Sequence, residues 1–322
     1  MGKTSDSVTI LVVLQLGLPL FLIGWVALAP LKSKLGFFFQ TVGTSLSVLG
    51  LALTGLWLFP PWWTPFVYAG LLAAASAYGW RKRSPFRSRR PSGWTAWIVT
   101  TLFVAVGGWG ATQSLRALAG RQQQAGTVVE LTFPLKSGTY LVVNGGSNIS
   151  VNQHLMTLDI SISRFYAYRG QSYGVDIVKI DKWGLRATGL QPTQPDAYDI
   201  YGEPVFAPCS GEVLIAVDDV PDNQVPQVDR AHMAGNHVLL RCTNADVLLG
   251  HFKPGSVKVR LGNQVSVGQV IGTVGNSGNT GEPHLHIHAQ QPGTASEPLS
   301  GNPLPMCLNE RFLVRNDRFA VP

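Results

Sequence analysis

The decisive stretch is Gly275-Asn276-Ser277-Gly278-Asn279-Thr280-Gly281-Glu282-Pro283-His284-Leu285-His286-Ile287-His288. Its first part is rich in Gly, Asn, Ser and Thr and reads as a loop that Pro283 closes. Its end alternates. In a strand, alternate residues face the same side, so His284, His286 and His288 share one face. Three imidazoles on one strand face are a common way to present nitrogen to a metal. The stretch therefore predicts a β domain built around a candidate metal site.

The chain on either side of it supports that reading. From Gln122 onward, short apolar runs alternate with turn signals. Strands are expected at Thr127–Phe133, Tyr140–Asn144, Gly174–Val178, Glu212–Val217, His237–Cys242, Asp246–His251, Ser256–Arg260, Gln269–Val274 and His284–Ala289. No long helical period interrupts them. Residues 121–322 are thus expected to fold as one all-β, antiparallel domain. Its three cysteines, Cys209, Cys242 and Cys307, allow one bridge in an oxidising compartment or free thiols.

Charge separates this half from the other. Of the 322 residues, 13% are charged, and the formal net charge is +7. Residues 1–120 hold ten basic side chains against one acid, Asp6. Residues 121–322 hold fifteen against seventeen. No basic stripe is left in the soluble-looking half to follow a phosphate backbone, which argues against a nucleic-acid partner. In the front half, charge-free runs of 25, 46 and 25 residues separate Asp6 from Lys32, Lys34 from Arg81, and Arg90 from Arg116. A bilayer core needs about 20 apolar residues per helix. Four transmembrane helices are expected, at about 8–30, 36–58, 64–80 and 93–115, with the middle run divided at Phe59–Pro65. Lys32, Lys34 and the Arg81–Arg90 cluster lie in two loops on the same side, which the positive-inside rule makes cytoplasmic. The chain then reads as a multi-pass protein of a bacterial cytoplasmic membrane. Its partner is the lipid bilayer, and residues 121–322 face the periplasm or the cell exterior.

Several segments of the back half resemble one family. Gly202-Glu203-Pro204-Val205-Phe206-Ala207-Pro208-Cys209-Ser210-Gly211-Glu212-Val213 is similar to the core hairpin of lysostaphin-type zinc endopeptidases. Gly235-Asn236-His237-Val238, Leu249-Gly250-His251, Gly262–Gly272 and the Gly-rich loop ending in His284-Leu285-His286 follow in the family's order. The resemblance spans about 170–290. It implies a lysostaphin-like sheet, a Zn2+ cofactor and cleavage of peptide cross-links in peptidoglycan. It makes Asp176 and His286 metal ligands, and places His251 and His284 beside the attacking water as catalytic residues.

One position departs from the family. Its first ligand is a His four residues before the Asp, and this chain has Ser172 there. The third ligand is then expected to be His154, with His288 as the second candidate. Two other outcomes stand beside catalysis. A degenerate domain would bind cell wall or regulate another cell-wall enzyme. A purely structural zinc would recruit Cys209 and Cys242. His237 reads as a packed side chain, and His232 has no assigned role. The long link Lys179–Tyr201 reads as a lid or as an ordinary surface loop.

Overall fold

A computed structural model describes residues 13–123 and 126–322. The chain divides into two compact units, Met1–Leu118 and Ala119–Pro322.

The first unit is helical. Val13–Gly17 is a π turn that runs into the helix Leu18–Leu28, followed by helices Lys34–Thr54, Thr64–Arg83 and Trp94–Gly120. Residues 8–12 of the first expected span lie outside the described residues. Among the described residues, only Lys34–Thr54 and Trp94–Gly120 are both long and apolar enough to cross a bilayer. The apolar helical stretch Val13–Leu28 is shorter. Thr64–Arg83 is diluted by Ala, Gly, Ser and Tyr and ends in Arg81, Lys82 and Arg83. Four helices thus lie where four spans are expected, and among the described residues two of them have the length and composition of a span.

Small residues bring the two long helices together. A Cβ on Gly43 would lie 2.2 Å from the Phe103 carbonyl oxygen, and one on Gly110 would lie 2.5 Å from that of Leu46. Between these points the Ser47 hydroxyl reaches Gly43 O at 2.7 Å and Val106 O at 3.2 Å. Such close backbone approach is how helices pack where lipid removes any hydrophobic drive. Gln40 ties in a third helix. Its Oε1 accepts from Trp25 Nε1 at 2.8 Å, and its Nε2 donates to Thr100 Oγ1 at 3.2 Å.

The second unit is built on strands β1 (Val129–Leu131), β2 (Gly138–Asn144), β3 (Val175–Ile180), β4 (Pro204–Phe206), β5 (Gly211–Val217), β6 (Asn236–Arg241) and β7 (Asp246–Phe252). They continue with β8 (Gln264–Val265), β9 (Val270–Thr273), β10 (Leu285–Gln290), β11 (Pro303–Leu304), β12 (Met306–Leu308) and β13 (Arg318–Val321). The main sheet has nine strands in the order β13-β2-β3-β10-β7-β6-β5-β8, with β11 beside the end of β10. All its pairings are antiparallel.

Three sequence expectations are corrected. β1 pairs with β12 in parallel, so the domain is not wholly antiparallel. Ser256–Arg260 is not a strand. The Asp218 carboxylate accepts from Ser256 N and Val257 N, taking the place of a ladder partner. Two 3-10 helices, Gln153–Leu158 and Ser163–Tyr173, occupy the connection before β3. A disulfide joins Cys209 and Cys242, while Cys307 is a buried free thiol.

The alternation of β3, β6, β7 and β10 sorts chemistry onto one face. Val175, Ile177, Val238, Leu240, Val247, Leu249, Leu285 and Ile287 enter the main core. Their neighbours Asp176, His237, Leu239, Leu248, His286 and His288 take the opposite face, which Ala234 and Leu299 help cover. Both faces are thus buried, and the polar groups on the second must find partners within it.

Candidate functional site

Register places the first two residues. In the β3–β10 ladder Asp176 stands directly opposite His286. The two side chains meet on the second face, with His286 Nδ1 2.8 Å from Asp176 Oδ1.

His154 arrives by a different route. It lies in the 3-10 helix Gln153–Leu158, whose N-cap Asn152 accepts from His154 N at 3.1 Å. The Asn152 amide also donates to Gly174 O at 3.1 Å, immediately before β3. This buried side chain staples the turn against the strand that carries Asp176, and His154 Nε2 lies 2.9 Å from Asp176 Oδ2. Ser172, at the position where the resemblance leads to an expected ligand His, is itself buried. Its hydroxyl donates to Arg169 O at 2.6 Å and lies 2.8 Å from Thr157 Oγ1, and that hydroxyl bonds His154 O at 2.7 Å. The serine helps fasten the turn that presents His154.

The donor atoms of His154, Asp176 and His286 lie within 4.8 Å of one another. Two imidazoles and a carboxylate converging from separate elements are a donor set suited to zinc, and three protein ligands leave a coordination position open. His288 stands apart from this group. Its Nδ1 is 3.0 Å from the other ring nitrogen of His286, Nε2. It therefore meets the outer edge of that imidazole, where it can fix the ring's orientation. Cys209 and Cys242 are consumed by their disulfide, which removes the cysteines expected of a structural zinc site.

His251 and His284 flank the cluster. His251 Nδ1 donates to Ser277 O at 2.8 Å. His284 Nδ1 donates to Glu282 O at 2.9 Å. A carbonyl only accepts, so in both rings it is Nδ1 that carries a proton toward the backbone. His284 Nε2 is 3.6 Å from Asp176 Oδ1, and the His251 and His284 ring centroids are 4.7 Å apart. His251 has φ 64°, in the left-handed region. Strained backbone of this kind costs about 1–3 kcal/mol and clusters at functional sites. It is held from both sides, by His251 N on Ala234 O at 3.0 Å and Gly275 N on His251 O at 2.9 Å.

Electrostatics follow from burial and crowding. Burial opposes ionisation of Asp176, but the neighbouring His154 and His284 and hydrogen bonds from His154 and His286 hold its carboxyl well below the usual range. Burial, reinforced by His284 and His286, drives His251 well below an ordinary imidazole, so it stands neutral. Burial likewise lowers His286, against the pull of Asp176. His284 and His154 are the members that retain some exposure, with side chains 16% and 19% accessible. The site opens on their side.

The remaining histidines lie outside the cluster. His232 pairs with Asp229 at 2.7 Å at the surface. His237 is buried and donates Nδ1–H to Gly235 O at 2.7 Å. Sequence reading missed Asn144, Asn152, Arg186, Glu282 and Arg315. Asn144 Nδ2 donates to Asp176 Oδ2 at 2.8 Å, and Arg315 Nη2 donates to Asn144 Oδ1 at 2.8 Å. Asn144 reads as the last residue of the expected strand Tyr140–Asn144, before Gly145-Gly146, so nothing local marks its role.

Residues 196–298 match the model of Peptidase family M23. His251, His284 and His286 fall inside that segment, while Asp176 and His154 precede it. Among solved structures, the chain is similar to the antimicrobial peptidase lysostaphin from Staphylococcus simulans, at 23% identity and a TM-score of 0.25. That match covers 37% of this chain and 37% of lysostaphin. A zinc containing peptidase from Vibrio cholerae is 23% identical over 35% of each chain, with a TM-score of 0.22. Helicobacter pylori Csd3 is 17% identical over 63% of this chain and 38% of its own, with a TM-score of 0.29. The chain spans well under two thirds of each of these proteins.

Proposed function

Because residues 196–298 match the model of Peptidase family M23, we propose that the protein is a membrane-held, zinc-dependent endopeptidase acting on peptide cross-links of bacterial peptidoglycan. The observation that carries this reading is the convergence of His154, Asp176 and His286, flanked by two imidazoles that are each anchored through Nδ1 on a backbone carbonyl.

His154, Asp176 and His286 would hold the ion. Zinc, when bound, supplies a Lewis acid for the scissile carbonyl and lowers the pKa of water at its open position. The chain's own residues do the rest. Asn144 fixes the Asp176 carboxylate, and His288 fixes the His286 ring. Neutral His251 accepts a proton from the attacking water at Nε2, its ring anchored on Ser277 O. A proton on His284 Nε2, on the open side, steadies the developing oxyanion and passes to the leaving amine.

The first unit supplies the membrane anchor. In this reading all four helices span the bilayer, with Lys32, Lys34 and Arg81–Arg90 on the cytoplasmic side and the second unit outside. The Cys209–Cys242 disulfide suits an oxidising outer compartment.

The test uses full-length protein in detergent micelles, with zinc measured per chain and peptide products measured from purified sacculi. About one zinc per chain is expected, with product release that a chelator abolishes and added zinc restores. Protein with neither stoichiometric zinc nor product release would refute the reading. Zinc without cleavage would favour a degenerate domain that binds wall or regulates a partner enzyme.

A further inference from the structure

The connection between β3 and β4 was expected to be either a lid or a plain surface loop. It runs over the surface but is held by internal hydrogen bonds. Asp181 Oδ1 accepts from Trp183 N and Leu185 N, each at 2.8 Å. Thr188 N bonds Ala197 O at 3.0 Å, and Asp199 N bonds Arg186 O at 2.9 Å. Ala187 and Tyr198 pack with Val225 into a small buried cluster.

From this closed segment Arg186 reaches toward the loop that feeds β10. It is buried, and its guanidinium sits 5.6 Å over the Tyr198 ring. Arg186 Nε donates to Glu282 Oε1 at 2.8 Å, and Nη2 donates to Oε2 at 2.8 Å. The pairing is fork to fork, which sets orientation as well as distance. Glu282 also contributes its peptide carbonyl, which accepts from His284 Nδ1 at 2.9 Å and from Thr280 Oγ1 at 2.7 Å. One residue is thus held by its side chain while its backbone holds the imidazole. Gly281, just before it, has open space around its Cβ position and offers a ready swivel.

We propose that Arg186 is a positioning residue for His284: it clamps the Glu282 side chain, and the Glu282 carbonyl then holds the Nδ1–H of His284 so that Nε2 faces the metal cluster. The role of His284 rests on the peptidase reading above. Without the clamp, Glu282 swings to water about Gly281 and withdraws the carbonyl. A lysine reaches only one carboxylate oxygen and restores part of the constraint.

The experiment compares wild-type full-length protein in micelles with Arg186→Met, Arg186→Lys, Arg186→Glu, Glu282→Arg and the swap Arg186→Glu/Glu282→Arg. The probe is muropeptide dimers freed from sacculi by a glycan-cleaving enzyme, and amide exchange over residues 276–286 is read by mass spectrometry. Arg186→Met should lower kcat by about 100-fold, the scale of a misplaced reacting group. Zinc affinity should stay within threefold, because His284 is no ligand. Exchange over 280–285 should rise at least tenfold while β6 and β7 keep their protection. Arg186→Lys should fall between, and the swap should exceed either charge-reversed single variant at least tenfold in kcat. A folded Arg186→Met with wild-type kcat and exchange would overturn the clamp. So would equal losses of kcat and zinc affinity, or a swap no better than its single variants. Should Arg186→Met fail to fold, Arg186→Lys and the swap decide on the same criteria. A wild-type protein that cleaves nothing sinks the peptidase reading instead, and the exchange data still decide the clamp.

Discussion

His154→Ala probes the least conventional feature of the site. Three donors form the cluster, and His154 Nε2 is one of them, 2.9 Å from Asp176 Oδ2. Four-ligand protein zinc sites bind with roughly 10–16 kcal/mol, or about 3 kcal/mol per donor. Each 1.4 kcal/mol is tenfold in affinity, so losing His154 should weaken zinc binding by about 100-fold. The measurement is competition against a chromophoric chelator, with full-length protein in micelles after demetallation. His288→Leu is the matched control. It removes a partner of His286 rather than a donor, and should cost about tenfold, the lower end for an outer-shell partner. A His154→Ala protein that binds zinc within threefold of wild type would refute the assignment of His154. A larger loss from His288→Leu than from His154→Ala would move the third donor to His288.

Other consequences follow from single contacts. His251→Ala should leave zinc affinity unchanged and lower kcat by about 10²–10⁴-fold, the usual yield of a general base, measured on the same muropeptide probe. Joint replacement of Cys209 and Cys242 by Ser opens a closure of sequence separation 33, which corresponds to about 3–4 kcal/mol of lost stability. Urea unfolding followed through tryptophan fluorescence would check it, and no shift in midpoint would refute it. Gly43→Leu drives a side chain into the Phe103 carbonyl, 2.2 Å from the Cβ position. It should cost the first unit about 1–3 kcal/mol, read by titration of folded protein with a denaturing detergent.

What could be read in advance depended on the range over which each feature is specified. The shared face of His286 and His288 follows from strand period alone. The pairing of Asp176 with His286 needs the β3–β10 register, and there the family resemblance supplied what spacing could not. His154 stood out only because Ser172 left a gap. Its arrival depends on a 3-10 turn and on Asn152, neither of which has a periodic signature. Asn144 and Arg315 support the site across 32 and 171 residues of chain, respectively, and no local pattern marks such contacts. The parallel β1–β12 pair escaped notice for the same reason. Charge gaps located the helices well. They overstated the hydrophobicity of Thr64–Arg83, where uncharged residues are mostly small rather than strongly apolar.

The link from Arg315 through Asn144 to Asp176 also sets an order of events. Arg315 is translated 171 residues after Asn144. At about 5–20 residues per second, Asn144 and Asp176 wait roughly 10–30 s for the guanidinium that steadies them. The strand β13, which closes the sheet beside β2, comes later still. Until then the carboxylate is present without the support that aims it, so the centre matures as the sheet closes and not as its ligands emerge.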